Sequence, residues 1–237
     1  MRSIKQVVSF GDSWVYGDEL IDPNLKKVLP DVTTHNFQND SYRLKNCFSG
    51  IIADNYNVPL ENFGHPGASL RSTIWSFLWW LENGKFQTDS LILIGLTSSD
   101  RESWYNPDHV VQGKDPDWNR YIHSSWVDFG SSIVPEEWSD FSKKYITLSQ
   151  CNELSKLNYQ QTLYFFNGIA ITHSLNLYQF NIFAPPINIE VPTLLCPNKN
   201  IQGIAKVPKA PGGHPNEKGH LEISKYLINE IEFAILT

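Results

Sequence analysis

Ser13, His214 and Gly67 have the residue types and surroundings that acyl transfer requires. Ser13 stands in a turn after an apolar run, a place where a hydroxyl can be exposed to a substrate. His214 lies in a glycine-rich loop, and imidazole titrates near neutral pH, so it suits the base that takes the proton of an attacking serine. Gly67 lacks a side chain, so it can bring its N–H close to a substrate whose tetrahedral intermediate needs donors for its oxyanion. The pattern predicts a serine nucleophile with a histidine base.

The elements that must position these residues alternate between strand and helix. Short apolar runs typical of buried strands lie at 4–10, 59–63, 90–96 and 177–184. Apolar spacing and caps predict helices at 41–56, 70–84 and 151–174, with others beginning at Pro135 and Asn216. This alternation favours a three-layer α/β fold with a mostly parallel sheet, in which ligands bind beyond the carboxyl ends of the strands. Segments 11–14, 64–69 and 97–101 are expected there, within reach of loop 211–220.

Three blocks of the sequence resemble those of the SGNH or GDSL hydrolases. They are Gly11-Asp12-Ser13 with Gly17, then Asn62 with Gly64, Gly67 and Ser69, and last His214-Pro215-Asn216 with Gly219-His220. The blocks follow the family's order, over roughly 1–100 and 176–237. The resemblance implies a flavodoxin-like α/β/α fold, Ser13 as nucleophile and His214 as base. It also implies an oxyanion site built from the N–H groups of Ser13 and Gly67.

Two positions depart from the family's pattern. Its third block holds Asn before Asp, whereas this chain reads Thr97-Ser98-Ser99-Asp100, so a hydroxyl of Thr97 or Ser99 replaces the amide in the oxyanion site. The family's catalytic Asp stands three residues before the His, where this chain has Pro211. A Ser–His dyad is therefore expected. The group that orients His214 stays open between a backbone carbonyl near Ala210 or Pro211 and a carboxylate such as Glu190 or Glu217.

Several residues near these blocks are candidates either for contact with substrate or for structural support. Candidate substrate contacts are Trp14, His65, Asp100 and Trp104. Asp12 is expected to support the turn by hydrogen bonds, and His220 to brace the loop as a packing residue. Asp100 and Arg101 form a salt bridge or bind substrate. Tryptophans and tyrosines between 104 and 126, in an insertion at about 101–150, stack on sugar rings as part of a lid or anchor a long loop.

Length, composition and charge narrow the class of protein. The chain has 237 residues, 41% apolar and 19% charged, which is typical of one globular domain over 1–237. A net charge of −6 without a basic run disfavours nucleic acid as a partner. Cys47, Cys151 and Cys196 lack metal-ligand spacing and indicate reduced thiols. Neither a cleaved signal peptide nor a membrane span is evident, so a cytoplasmic or otherwise unexported protein is expected.

These observations predict a serine esterase or deacylase acting on small acyl esters, including O-acetyl groups on a glycan. An acyltransferase would use the same acyl-enzyme. No cofactor or metal is expected, and the oligomeric state stays open. The alternative is a carbohydrate-binding or structural protein on a decayed hydrolase scaffold. A hydrogen-bonded Ser13–His214 pair would support the enzyme, and a blocked or splayed pair the binding protein.

Overall fold

A parallel sheet of four strands forms the centre of the structure, a computed structural model that describes residues 4–83, 89–105, 126–129, 152–204 and 208–236. The strands in chain order are β1 (Gln6–Gly11), β2 (Leu60–Gly64), β3 (Ser90–Leu96), β4 (Glu102–Tyr105), β5 (Trp126–Phe129) and β6 (Asn176–Asn181). The parallel strands lie in the order β2-β1-β3-β6, which is the flavodoxin-like arrangement. Strands β4 and β5 pair with each other in a separate antiparallel sheet.

The helices of the described residues cover both faces of this sheet. They are α1 (Ser13–Tyr16), α2 (Pro23–Val28), α3 (Asp40–Asn46), α4 (Phe48–Tyr56), α5 (Leu70–Asn83), α6 (Asn152–His173) and α7 (Glu217–Leu236), with a 3₁₀ helix at Phe37–Asn39. Successive side chains of a strand point to opposite faces. Val7, Leu91 and Leu93 accordingly pack with α4 and α7, while Val8 and Ile92 pack with α5 and α6. The predicted three-layer α/β class is confirmed.

Most predicted elements that fall on described residues are confirmed to within a few residues at their ends. The helix expected over 41–56 is instead two helices, because the backbone is extended at Cys47 (φ −70°, ψ 154°). Helix α4 then lies so close to α3 that a β-carbon at Gly50 would be 1.8 Å from the carbonyl oxygen of Leu44. The predicted start at Pro135 and most of the insertion lie outside the described residues.

The end of β2 touches the backbone of α1 directly. A β-carbon at Gly64 would lie 2.3 Å from the backbone nitrogen of Tyr16 and 2.7 Å from the carbonyl carbon of Val15. Asn62 bonds the same helix, since its Nδ2 donates to the Val15 carbonyl at 2.8 Å. These contacts place the carboxyl end of β2 beside the turn that carries Ser13.

Gly64→Ala is expected to lower the free energy of unfolding by roughly 1–3 kcal/mol, the usual range for overpacking, because the atoms in the way belong to the backbone. Gly168→Ala in α6 is the matched control, since its β-carbon would meet nothing within 4 Å. That change is expected to raise the free energy of unfolding by up to about 1 kcal/mol through helix propensity. Urea denaturation checks both, and equal effects would contradict the close approach at Gly64.

Candidate active site

Ser13 lies in a one-turn helix at the carboxyl end of β1. Gly11 ends the strand with a φ of +150°, and Asp12 caps α1, its Oδ1 accepting from the backbone N–H of Trp14 at 2.9 Å. The helix ends at Gly17, whose left-handed conformation (φ 84°) closes the turn. Ser13 is thereby placed at the edge of the sheet where ligands bind in such folds.

The loop before α7 brings His214 to this serine. Nε2 of His214 lies 2.9 Å from Oγ of Ser13, although 201 positions separate the two residues in the sequence. The loop folds back on itself: the Ala210 N–H donates to the His214 carbonyl at 2.8 Å, and the Gly213 N–H donates to the Ala210 carbonyl at 3.0 Å. The two residues that the sequence singled out are in hydrogen-bonding contact.

Glu19 occupies the third position of the constellation. Its Oε2 lies 2.9 Å from Nδ1 of His214 and also accepts from the His214 backbone N–H at 3.0 Å. Its Oε1 accepts from the Gly212 N–H at 2.7 Å. Ser13, His214 and Glu19 therefore form a continuous chain of hydrogen bonds, arranged like a hydrolytic triad.

The dyad expected from Pro211 is wrong, because a carboxylate does meet the imidazole. None of the groups considered from the sequence fills this position. Glu190 is exposed, and Glu217 accepts instead from the hydroxyl of Tyr42. The available signal was the acidic pair Asp18-Glu19 directly after Gly17 in the first block.

The backbone around Glu19 turns its carboxylate toward His214. Glu19 has a φ of 66°, uncommon for a residue with a side chain. Its N–H donates to Oγ1 of Thr34 at 3.0 Å and to Oδ1 of Asp18 at 3.0 Å, which hold this conformation. The other carboxylate oxygen of Asp18 lies 4.0 Å from Nε2 of His214, beyond hydrogen-bonding distance.

Hydrogen bonds keep the Glu19 carboxyl ionised. Partial burial raises its pKa, but the backbone N–H groups of His214 and Gly212 and the imidazole outweigh that effect, so the pKa lies below its ordinary value. A carboxylate at Nδ1 selects the tautomer in which Nε2 is the acceptor, the form that a base next to Ser13 requires.

A second carboxylate, the buried side chain of Asp12, organises the other side of the turn that carries Ser13. It is fully buried, and its Oδ2 accepts from the Thr97 hydroxyl at 2.6 Å and from Nη1 of Arg101 at 3.0 Å. The ion pair expected for Arg101 is therefore made with Asp12. Asp100 accepts instead from the hydroxyl of Ser98.

The expectation that Thr97 donates to the oxyanion is wrong, because its single hydroxyl proton is already given to Asp12. The Ser99 hydroxyl lies 2.6 Å from that of Ser155 in α6, so it is bonded within the protein as well. Gly67 has a φ of +85° in the turn after β2, and the neighbouring His65 N–H donates to the Gly11 carbonyl at 2.9 Å. That turn is thus tied to the strand that carries Ser13.

The candidate substrate contacts have different positions. Trp14 is only 4% exposed and packs edge-on against Phe183 in the core, so its ring is a packing element and that expectation is corrected. His65 and Asp100 are partly buried near the carboxyl ends of the strands. The side chain of Trp104 lies outside the described residues.

His220 has a structural environment unlike that of His214. Its ring is fully buried and stacked on Phe48, and its Nδ1 accepts from the Phe48 N–H at 3.1 Å, the first amide of α4. Burial, with a smaller contribution from His214, lowers the pKa of His220 to about 3. The ring is neutral when folded, so its contribution to stability is complete above the ordinary value of 6.5 and declines as the pH falls toward 3.

No group of three or more His, Cys, Asp or Glu side chains within the described ranges is arranged to hold a metal ion. No described helix is both long enough and apolar enough to cross a bilayer.

Several solved protein structures are distantly similar to this chain. No protein-family model and no curated protein matches the chain. A solved member of the lipolytic protein G-D-S-L family from Veillonella parvula is 13% identical, with a TM-score of 0.38, and the match covers 95% of this chain and 97% of that one. A carbohydrate esterase family 2 enzyme with a carbohydrate-binding domain from Corynascus thermopiles (Myceliophthora fergusii) is 11% identical, with a TM-score of 0.40 and coverage of 98% and 67%.

A third solved protein, a carbohydrate esterase described as having divergent catalytic and non-catalytic binding functions at its active site, is 12% identical. Its TM-score is 0.37, and the match covers 96% of this chain and 68% of that one. Similarity at this level does not place the chain in a family.

Glu19→Gln is expected to lower the free energy of unfolding at neutral pH, with a deficit that shrinks as the pH falls. A carboxyl whose pKa is lower in the folded state contributes fully above its unfolded value, 4.5, and loses that contribution as the pH falls through the folded value. Urea titrations from about pH 7 to about pH 3 measure the deficit. Glu222→Gln, in an exposed pair with Lys225, is the control and is expected to change little. A pH-independent Glu19 deficit would contradict the ionised role.

His220→Ala is expected to lower the free energy of unfolding by roughly 2–4 kcal/mol, since it leaves a cavity and an unpaired Phe48 N–H. Turnover per folded molecule should change little. His214→Ala should show the opposite pattern, a small change in stability and a large loss of turnover. Denaturation curves and initial rates on the same preparations separate the two, and reversed effects would exchange the roles of these histidines.

Proposed function

We propose that this protein is a serine hydrolase that cleaves small acyl esters through an acyl-enzyme on Ser13. The observation that carries the proposal is the hydrogen-bonded series in which His214 contacts Ser13 through Nε2 and Glu19 through Nδ1, both at 2.9 Å. A serine alone is a weak nucleophile, and this arrangement supplies both the base that activates it and the group that orients the base.

The proposed first step forms the acyl-enzyme. Oγ of Ser13 adds to the carbonyl carbon as its proton passes to Nε2 of His214, and the electron pair of the C=O double bond moves onto oxygen. Collapse of this intermediate breaks the ester C–O bond, and the leaving alkoxide takes the proton from Nε2. Glu19 stabilises the imidazolium that exists between these two transfers.

The second step returns the enzyme to its starting state. Water adds to the acyl carbon while His214 takes one of its protons, and the resulting intermediate expels the Ser13 oxygen, which recovers that proton. The products are a carboxylic acid and an alcohol. The backbone N–H groups of Ser13 and Gly67 are proposed to bind the oxyanion in both steps.

The binding-protein alternative would have been favoured by a splayed pair, and the 2.9 Å contact supports the enzyme instead. The proposed substrate class is a small acyl ester, with O-acetyl groups on a glycan as its narrower form. That narrower form rests on the aromatic residues between 104 and 126 of the sequence, whose side chains lie outside the described residues.

Labelling with a fluorophosphonate is expected in the wild type and absent in Ser13→Ala, because the reagent reacts with an activated serine. Turnover of p-nitrophenyl acetate should fall by several orders of magnitude in His214→Ala. It should fall by up to about 10⁴ in Glu19→Ala, the size of the loss when a triad loses its carboxylate. Acetylated sugars are assayed alongside to test the glycan form.

The control for this series is Ser49→Ala, a buried serine in α4 outside the constellation, which should label like the wild type. Equal labelling of wild type and Ser13→Ala would remove Ser13 as the nucleophile. An unchanged turnover in Glu19→Ala would remove Glu19 from the mechanism and leave a dyad.

A further inference from the structure

The two side-chain hydroxyls expected to donate to the oxyanion are both hydrogen-bonded within the protein. Thr97 gives its hydroxyl proton to Asp12 at 2.6 Å, and the Ser99 hydroxyl is paired with Ser155 at 2.6 Å. Backbone N–H groups alone carry no formal charge. A cation near the developing negative charge would stabilise it more strongly in a partly dehydrated site.

Arg101 lies at this edge of the sheet. A turn after β3, in which the Arg101 N–H donates to the Ser98 carbonyl at 3.2 Å, brings the residue back over the strand end. Nη1 then donates to Oδ2 of Asp12 and to Oγ1 of Thr97, both at 3.0 Å. Because Asp12 is the residue directly before Ser13, the guanidinium is held beside the turn that carries the nucleophile.

The guanidinium retains donors beyond those that this ion pair uses. It has five N–H groups, and Nη1 accounts for two of them. Nε and Nη2 make no hydrogen bond to the residues that the structure describes, while the group lies 5.6 Å from the ring centre of Phe183. The side chain is 15% exposed, so it is largely dehydrated without being sealed from the edge of the sheet.

We propose that Arg101 is a catalytic residue: an N–H at Nε or Nη2 binds the oxygen that becomes negative when Ser13 attacks. The inference rests on the proposed function and deepens it. Arg101 takes the place of an amide donor and adds a positive charge, while Thr97 and Asp12 position it. No proton leaves the guanidinium in this role, since Arg stays protonated.

The test measures the second-order rate at which a fluorophosphonate labels Ser13, because that reaction also develops negative charge on the oxygen facing the donors. Arg101→Gln is expected to slow labelling by about 100- to 1000-fold, the loss typical of one oxyanion donor. For p-nitrophenyl acetate, kcat should fall while KM changes little, since the bond strengthens only in the transition state.

Removing Arg101 also leaves the Asp12 charge buried and unpaired, which threatens folding. The double variant Asp12→Asn/Arg101→Gln removes both charges together, and Asn still caps α1, so this variant is compared with the wild type alongside Arg101→Gln. Arg43→Gln is the matched control: Arg43 is also buried, and it bonds Asp40 and the Tyr16 carbonyl at the other end of α1. It should lower Tm yet label within about threefold of the wild type.

A 100-fold or greater loss relative to the wild type, in both Arg101→Gln and the folded double variant, supports the proposal. A folded double variant that is labelled at the wild-type rate would overturn it and leave Arg101 as a structural partner of Asp12, with the esterase proposal intact. A wild type that is not labelled at Ser13 would overturn the esterase proposal and this inference with it.

Discussion

The rest of the site depends on the hydrogen bonds that the Glu19 carboxylate accepts. The carboxylate accepts three hydrogen bonds from one loop, from the Gly212 N–H, the His214 N–H and Nδ1 of His214. These bonds tie the loop, the imidazole and the carboxylate to one another. A β-carbon at Gly212 would lie 2.6 Å from Oε1 of Glu19, so a side chain there would displace the carboxylate from this position. The loop that carries His214 therefore fits closely around the Glu19 carboxylate.

The turn that carries Ser13 is held in place by close contacts of its own. Its helix is only one turn long, and such a helix has little stability of its own. Contacts with the ends of the strands stabilise this helix instead. Gly64 lies against the backbone of Val15 and Tyr16. Gly11 and Gly95 lie so close to Val15 that a β-carbon on either glycine would be 2.6 Å from its Cγ2. Preorganisation of this kind positions a hydroxyl without spending binding energy on ordering it.

Residues of the same type that lie close together in the sequence have different environments in the structure. His214 and His220 belong to one block, yet the side chain of His214 is 24% exposed and bonded to a carboxylate, whereas His220 is fully buried and neutral. Asp12 and Glu19 stand at opposite ends of the same short helix. Asp12 is balanced by Arg101 and a hydroxyl, and Glu19 by backbone N–H groups and an imidazole. Each carboxylate thus has its own donors and its own proposed role.

Local pattern determined much of this protein. Apolar runs placed the strands and the spacing of apolar residues placed most helices, because those signals depend only on neighbouring residues. Because ligands bind beyond the carboxyl ends of parallel strands, the sequence also predicted that Ser13 and the loop of His214 lie in one region. Glu19 was missed because its partners stand 193 and 195 positions away, and its side chain is aimed by a left-handed backbone that its residue type does not predict. The direction of the Thr97 hydroxyl was likewise decided by Asp12, since a side chain of the right type donates to whichever acceptor the packed structure places nearest.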